Sequence, residues 1–266
     1  MKIKTMTRSY DEVMTLPRPK HKKPWRPTLL FRTVMRIASA PDLWATHFTY
    51  TRDKKSEPKG PCLILMNHSS FIDLKMAVGA LYPKPFGIVC TTDAMVGKGL
   101  LMKLLGCIPT QKFVTDLNLI RDMKYMLHEK KTSVLLYPEA GYSFDGRATA
   151  MAPVMGGLIK MLNVPVLMIT THNAFARDPL YNGLQNRKVR TSADVTTLLT
   201  AEDVKTKSAE ELEAVVQKAF AFDNLAEQYE RGSRSPRPFA PTGCTASCTS
   251  ALPAWPRGTW KGRGQK

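Results

Sequence analysis

The chain has 266 residues, of which 43% are hydrophobic, so it is long enough for one α/β domain or at most two small ones. Its formal net charge of +17 is unevenly distributed, with +9 in residues 1–60, +2 in residues 61–231 and +6 in residues 232–266. A nearly neutral body with basic ends argues against a nucleic-acid groove lined throughout by lysine and arginine, and favours an electrostatic docking surface.

Residues 1–27 are polar, basic and interrupted by four prolines, so we expect no regular element there. The spacing of apolar residues predicts a helix over residues 28–38. Arg32 and Arg36 lie on one face of it, and its apolar face consists of Leu29, Leu30, Val34 and Ile37. The basic cluster before it contains Lys20, Lys22, Lys23, Trp25 and Arg26. This combination is typical of a helix that docks on an anionic membrane surface, although a solvated helix packed on the domain explains it equally well.

No uninterrupted apolar run approaches 18 residues, so the sequence predicts no transmembrane helix. The N-terminus lacks an apolar core followed by a small-residue cleavage site, so we do not expect secretion. Cys62, Cys90 and Cys107 lie in or beside apolar runs. This placement suits reduced, buried thiols in the cytoplasm better than a disulfide framework.

Residues 62–66 form a short apolar run that predicts a buried strand, and residues 67–70 predict a strand-to-helix turn. His68 therefore lies at the carboxyl end of a strand, where open α/β sheets place their ligand crevices. Asp73, five residues later, can accept one imidazole N–H, which fixes the tautomer and makes the other ring nitrogen a better base. This spacing also arises by chance, and a solitary histidine near a strand end is more often structural.

The rest of the body alternates strands with helices. We predict strands over residues 86–91, 132–137 and 164–171, and helices over residues 100–105, 115–130 and 150–162. Residues 172–207 show no regular pattern, and a capping-box signature at residues 208–211 predicts a helix that continues to residue 230. This order predicts a single α/β domain over residues 28–231, with a mixed, mostly parallel sheet flanked by helices.

From residue 232 onward the composition changes abruptly. The segment is rich in Pro, Arg, Ser, Thr, Gly and Ala, and it contains no acidic residue. Such a composition cannot bury enough apolar surface, so we predict a disordered basic tail over residues 232–266. The tail resembles out-of-frame coding sequence, which resequencing of the gene would test.

Four segments at the ends of predicted elements carry chemistry. The first is Asn-His-Ser-Ser-Phe-Ile-Asp at residues 67–73, and the others are residues 106–112, 137–141 and 163–166. In this order and spacing they resemble the four blocks of the glycerolipid acyltransferase family, typified by lysophosphatidic-acid acyltransferases. The resemblance extends over roughly residues 25–230, and its first block is the most specific.

The resemblance implies acyl transfer from acyl-CoA or acyl-carrier protein to a hydroxyl of a lysolipid in phospholipid biosynthesis. It implies a cytoplasmic protein, peripheral on the inner face of the cell membrane, with no metal and no cofactor besides the acyl donor. His68 would be the general base, and Asp73 would orient it and stabilise the imidazolium. The residues expected to bind substrate are Lys112, Glu139 and Gly141.

The chain departs from the family pattern in the blocks that are expected to bind the phosphate of the acceptor. Lys112 stands where members with phosphate-bearing acceptors usually carry arginine, and Tyr142 stands where the third block usually ends in arginine. Arg147 could replace that arginine in substrate binding if its loop folds back. A different lysophospholipid, or an acceptor without phosphate, therefore remains an alternative to lysophosphatidate.

Three other functions compete with acyl transfer. A serine hydrolase would use Ser69 or Ser70, but neighbouring Ser and His rarely meet on a turn, and no Gly-x-Ser-x-Gly elbow is present. A non-enzymatic lipid-binding or membrane-docking protein would need the basic N-terminus but not His68. A nucleic-acid binder, suggested by the pI of about 9.8, is disfavoured by the nearly neutral body.

Overall fold

The computed structural model describes residues 7, 9–15, 21–92, 97–110, 116–179 and 186–230. The strands are β1 Thr49–Arg52, β2 Leu63–Met66, β3 Phe86–Thr91, β4 Cys107–Thr110, β5 Ser133–Leu136, β6 Val166–His172 and β7 Ser192–Leu199. The helices are α1 Tyr10–Thr15, α2 Leu29–Ala45, α3 Asp73–Leu81, α4 Gly99–Leu104, α5 Leu117–Lys124, α6 Met155–Leu162, α7 Ala174–Arg177, α8 Ala201–Thr206, α9 Ala209–Phe220 and α10 Asn224–Glu230. Helix α5 continues into a π-helical turn, Tyr125–Glu129.

The seven strands form one sheet in the order β1-β7-β6-β2-β5-β3-β4. All paired neighbours are parallel except β6 and β7, so β1 and β7 run opposite to the other five strands. The predicted mixed, mostly parallel α/β sheet is thus confirmed. Because β2 lies between β6 and β5, the residues that follow it meet the loops after both neighbours, which places His68 at the middle of one sheet edge.

Strand β2 is buried on both faces of the sheet. Its side chains alternate between two cores: Leu63 and Leu65 belong to one, and Ile64 and Met66 to the other. The first core is completed by α5, α6 and α9, and the second by α3 and the end of α2. A strand that is covered on both faces has apolar side chains at every position. It can therefore be recognised in the sequence as a continuous apolar run.

Helix α2 is longer than the predicted 28–38. The Thr28 side chain accepts a hydrogen bond from the N–H of Phe31, and the helix continues through Pro41 to Ala45. Its predicted apolar face is turned outward, and the exposed residues along it are Leu29 (56%), Leu30 (76%), Val34 (49%), Ile37 (67%) and Trp44 (76%). Arg32 and Arg36 are instead half-buried against the domain. No helix within the described ranges is long and apolar enough to span a bilayer.

The prediction that residues 172–207 are irregular is wrong. They contain α7, the eight-residue strand β7 and α8. Strand β7 was missed because it is polar on one face: only Ala193, Val195 and Leu199 are buried in it. The predicted helix from the capping box at Ser208 forms but ends at Phe220, before the separate helix α10. The expectation of no regular element in residues 1–27 is wrong, because Tyr10–Thr15 forms the short helix α1. Predictions for residues 1–6, 16–20 and 232–266 lie outside the described residues.

Helices α6 and α9 approach each other at Gly156, which yields a stability prediction. A β-carbon at Gly156 would lie 1.9 Å from the carbonyl oxygen of Ala209, whereas one at the neighbouring Gly157 would meet nothing within 4 Å. We expect Gly156→Ala to lower the free energy of unfolding by about 3 kcal/mol, because backbone must move. Thermal unfolding should show a drop of roughly 10 °C in Tm.

The matched control for this prediction is Gly157→Ala in the same helix. It should raise the free energy of unfolding by about 0.5–1 kcal/mol, because alanine is the better helix former in open space. Equal Tm values for Gly156→Ala and the unmutated protein would contradict the close helix contact.

Candidate active site

The turn after β2 places His68 and Asp73 in direct contact. Asp73 opens α3 and is fully buried, and its Oδ2 lies 3.1 Å from Nδ1 of His68. The same oxygen accepts hydrogen bonds from the backbone N–H groups of Ser69 (2.7 Å) and Ser70 (2.9 Å). Because the carboxylate oxygen accepts, the neutral imidazole carries its proton on Nδ1 and presents a lone pair on Nε2. The His68 side chain is 20% exposed, so this nitrogen can be reached.

Glu139, in the loop after β5, holds the backbone of His68. Its Oε2 accepts the His68 N–H at 2.8 Å, and its Oε1 accepts the N–H of Thr149 at 2.9 Å. Burial raises the pKa of Glu139, and these two hydrogen bonds oppose that rise. Glu139 was predicted to bind substrate, but both of its carboxylate oxygens accept hydrogen bonds from backbone N–H groups. This arrangement suits a residue that positions His68.

The backbone N–H groups of the turn are occupied. Those of Ser69 and Ser70 point to Asp73, and that of His68 points to Glu139. None of these three N–H groups is therefore free to bind an anion.

Two tyrosines cover the faces of the His68 ring. The Tyr137 ring stacks on it with centroids 3.9 Å apart, and the Tyr142 ring lies 4.2 Å away at 38°. Two rings this close cannot share one face, so they enclose the imidazole between them. Burial raises the pKa of both tyrosines, so both hydroxyls stay protonated at neutral pH.

Two sets of polar contacts join the turn after β2 to strand β6 and to the residue that follows α7. The Asn67 side chain accepts the N–H of Thr171 at 2.8 Å and donates to its carbonyl at 3.2 Å. The Ser70 hydroxyl donates to Asp178, which also accepts the backbone N–H of Phe71. Asp178 is buried, and burial raises its pKa. Because the Ser70 hydroxyl donates to Asp178, it does not donate to His68, as a serine nucleophile activated by that histidine would, which counts against the serine hydrolase.

Of the remaining predicted site residues, Gly141 and Arg147 lie in the loop after β5, whose residues Tyr142 and Ser143 contact His68. The Arg147 guanidinium is half-exposed, with its Nε 3.3 Å from Asp223. Gly141 lies in a loop where a β-carbon would meet nothing within 4 Å. Lys112 lies outside the described residues. The structure therefore brings together His68, Asp73 and Glu139.

Sequence reasoning missed Asp178 and treated Tyr142 only as a departure from the family pattern. Asp178 follows the short helix α7, in the segment where no element was predicted, so the sequence carried no signal for it. The sequence shows that Tyr142 replaces an expected arginine. Its contact with the His68 ring depends on the path of the loop after β5, which the sequence does not reveal.

The structure thus places a histidine held by a buried carboxylate at the carboxyl edge of a mixed α/β sheet. Residues 47–172, which include it, match the family model described as Acyltransferase. This match, over just under half of the chain, supports the acyltransferase resemblance that the four blocks predict.

The fold also matches a solved structure, the 1-acyl-sn-glycerophosphate (LPA) acyltransferase PlsC from Thermotoga maritima. The TM-score is 0.60 at 13% sequence identity, and the match covers 77% of this chain and 81% of the other. Among curated protein sequences, none has a significant match to this chain.

Proposed function

We propose that the protein transfers a fatty acyl group from acyl-CoA or acyl-carrier protein to a hydroxyl of a lysophospholipid-type acceptor. The observation that supports this most directly is the asymmetry of His68. Its Nδ1 is held by Asp73, whereas its Nε2 has no hydrogen-bond partner among the residues that the structure describes. A ring nitrogen free to take a proton at a partly exposed edge suits a general base for an alcohol nucleophile.

In the proposed reaction, Nε2 of His68 takes the proton of the acceptor hydroxyl while the hydroxyl oxygen attacks the thioester carbonyl carbon. A new C–O bond forms, the C–S bond breaks, and the proton passes from the imidazolium to the leaving sulfur. Asp73 stabilises the imidazolium. No enzyme nucleophile is needed, because the activated hydroxyl attacks directly.

The residues around His68 bear on the identity of the acceptor. The solved neighbour is titled a 1-acyl-sn-glycerophosphate acyltransferase, and a phosphate-bearing acceptor of that kind is the first candidate. In this chain, however, Tyr142 stacks on His68 where an arginine is expected, and Arg147 lies against Asp223. We therefore propose a lysophospholipid acceptor whose phosphate is bound by a cation other than Arg147, such as Lys112.

We also propose that α2 docks the protein on an anionic membrane surface, on the cytoplasmic face of the cell membrane. Its outer face carries the apolar residues Leu30, Val34, Ile37 and Trp44, all at least 49% exposed. The preceding cations Lys22, Lys23 and Arg26 are exposed as well. An exposed apolar stripe beside cations suits the interface of an anionic bilayer, from which a lysolipid acceptor would be drawn.

Purified protein assayed against a panel of lysolipids with both acyl-CoA and acyl-carrier-protein donors tests this function. We expect an acylated product, detected by mass spectrometry, for at least one lysophospholipid. No product from any pair, together with retained lysolipid binding, would contradict acyl transfer and favour a lipid-binding protein.

A further inference from the structure

A second cleft lies at the opposite end of α3 from the active site. It has an empty volume of about 390 Å³ and lies between α2, the end of α3 and the first half of β3. Its lining is mostly apolar and includes Phe31, Met35, Val78, Phe86, Ile88 and Leu105. Val78 and Tyr82, in its lining, follow Asp73 by five and nine residues, so the cleft extends from about 7 to 13 Å along the helix from Asp73.

The cleft has one cation without an anionic partner. Arg32 lines it and donates to two backbone carbonyl oxygens, those of Thr28 and Pro83, but it forms no ion pair among the described residues. Lys84, the other cation in the lining, is already paired with Glu57 at 2.9 Å. Burial and the nearby charge of Arg26 lower the pKa of Arg32. An arginine that is partly desolvated and beside a second arginine is stabilised by a bound anion.

The surroundings of the cleft indicate where such an anion comes from. Arg32 and Met35 line the cleft from α2, and the outer face of the same helix is the exposed apolar stripe of Leu30, Val34 and Ile37. A helix lying in a membrane interface would bring the cleft beside the lipid headgroups. An apolar interior with a cationic edge complements a lipid that has an apolar chain and an anionic head.

We propose that this cleft binds an anionic glycerophospholipid of the bilayer, with one acyl chain in the apolar interior and the phosphate on Arg32 and Arg26. The guanidinium of Arg32 retains N–H donors for phosphate oxygens beyond its two bonds to carbonyls. The bound lipid is distinct from the acceptor at His68 and requires no turnover. It would tether α2 to the membrane while the reaction proceeds at the other end of α3.

Photo-cross-linking of the full chain to vesicles tests the proposal. The vesicles contain phosphatidylglycerol with a diazirine near the end of one acyl chain, and the cross-linked residues are located by peptide mass spectrometry. We expect cross-links at Val78, Ile88 or Leu105. Arg32→Gln should reduce them roughly tenfold, because a charge-assisted contact is lost, and Met35→Trp should reduce them by filling the cleft.

The matched control is Arg36→Gln, on the same helix but outside the cleft lining, which should change the yield less than about twofold. His68→Ala should cross-link like the unmutated protein, so the result is independent of the proposed acyl transfer. Cross-links confined to Leu30, Val34 and Ile37, no cross-links, or equal yields with phosphatidylcholine would each overturn the proposal.

Discussion

Replacement of His68 by alanine should lower kcat by roughly 10²–10⁴-fold, the usual contribution of a positioned general base. The acceptor hydroxyl would lose the group that takes its proton, while the backbone held by Glu139 and Ser143 keeps its shape. The effect should appear in kcat more than in KM, because the imidazole acts on the proton in the transition state. Initial rates of acyl transfer, measured with the best donor and acceptor of the panel, check this.

A suitable control for His68→Ala is His47→Asn. His47 is an exposed histidine with φ of +45°, a conformation that asparagine accepts more readily than alanine. It should leave kcat within about twofold, as expected of a surface change away from the site. If His68→Ala retained full activity while folding normally, His68 would not be the base.

Asp73→Asn is expected to lower kcat by roughly 10³–10⁴-fold, by analogy with carboxylates that orient a catalytic histidine. The neutral amide carries no charge to stabilise the imidazolium. The amide oxygen can still accept the N–H groups of Ser69 and Ser70, which now bond to the carboxylate at 2.7 and 2.9 Å. The folded turn should therefore persist.

A comparison of Asp73→Asn with Asp73→Ala separates orientation from folding. Alanine leaves the same two backbone donors unpaired, each at a cost of about 1–3 kcal/mol. Asp73→Ala should therefore lose both activity and several degrees of Tm, whereas Asp73→Asn should lose mainly activity. Full activity of Asp73→Asn would show that the carboxylate charge is not needed, and would contradict the proposed mechanism.

The sheet could be predicted in part because its central strands are buried on both faces. The apolar runs at residues 86–91 and 132–137 correspond to β3 and β5, and each is bounded by clear breaks. The polar strand β7 and the short strand β1 pair with each other near one side of the sheet, where apolar runs are not required. The position of these two strands in the sheet depends on pairing between residues about 140 positions apart in the chain, such as Thr49 and Ser192.

The sequence by itself determined the buried strand β2, the turn after it and the closeness of His68 to Asp73, because five residues across a strand-to-helix turn keep two side chains within reach. The tertiary structure decided what surrounds that pair. Glu139 and Tyr142 come from the loop after β5 and contact His68, whereas Asp178 follows α7, beyond β6, and accepts the Ser70 hydroxyl. They reach the turn because β5 and β6 flank β2. Such neighbours depend on strand order and on hydrogen bonds between distant segments, which local patterns of side chains do not encode.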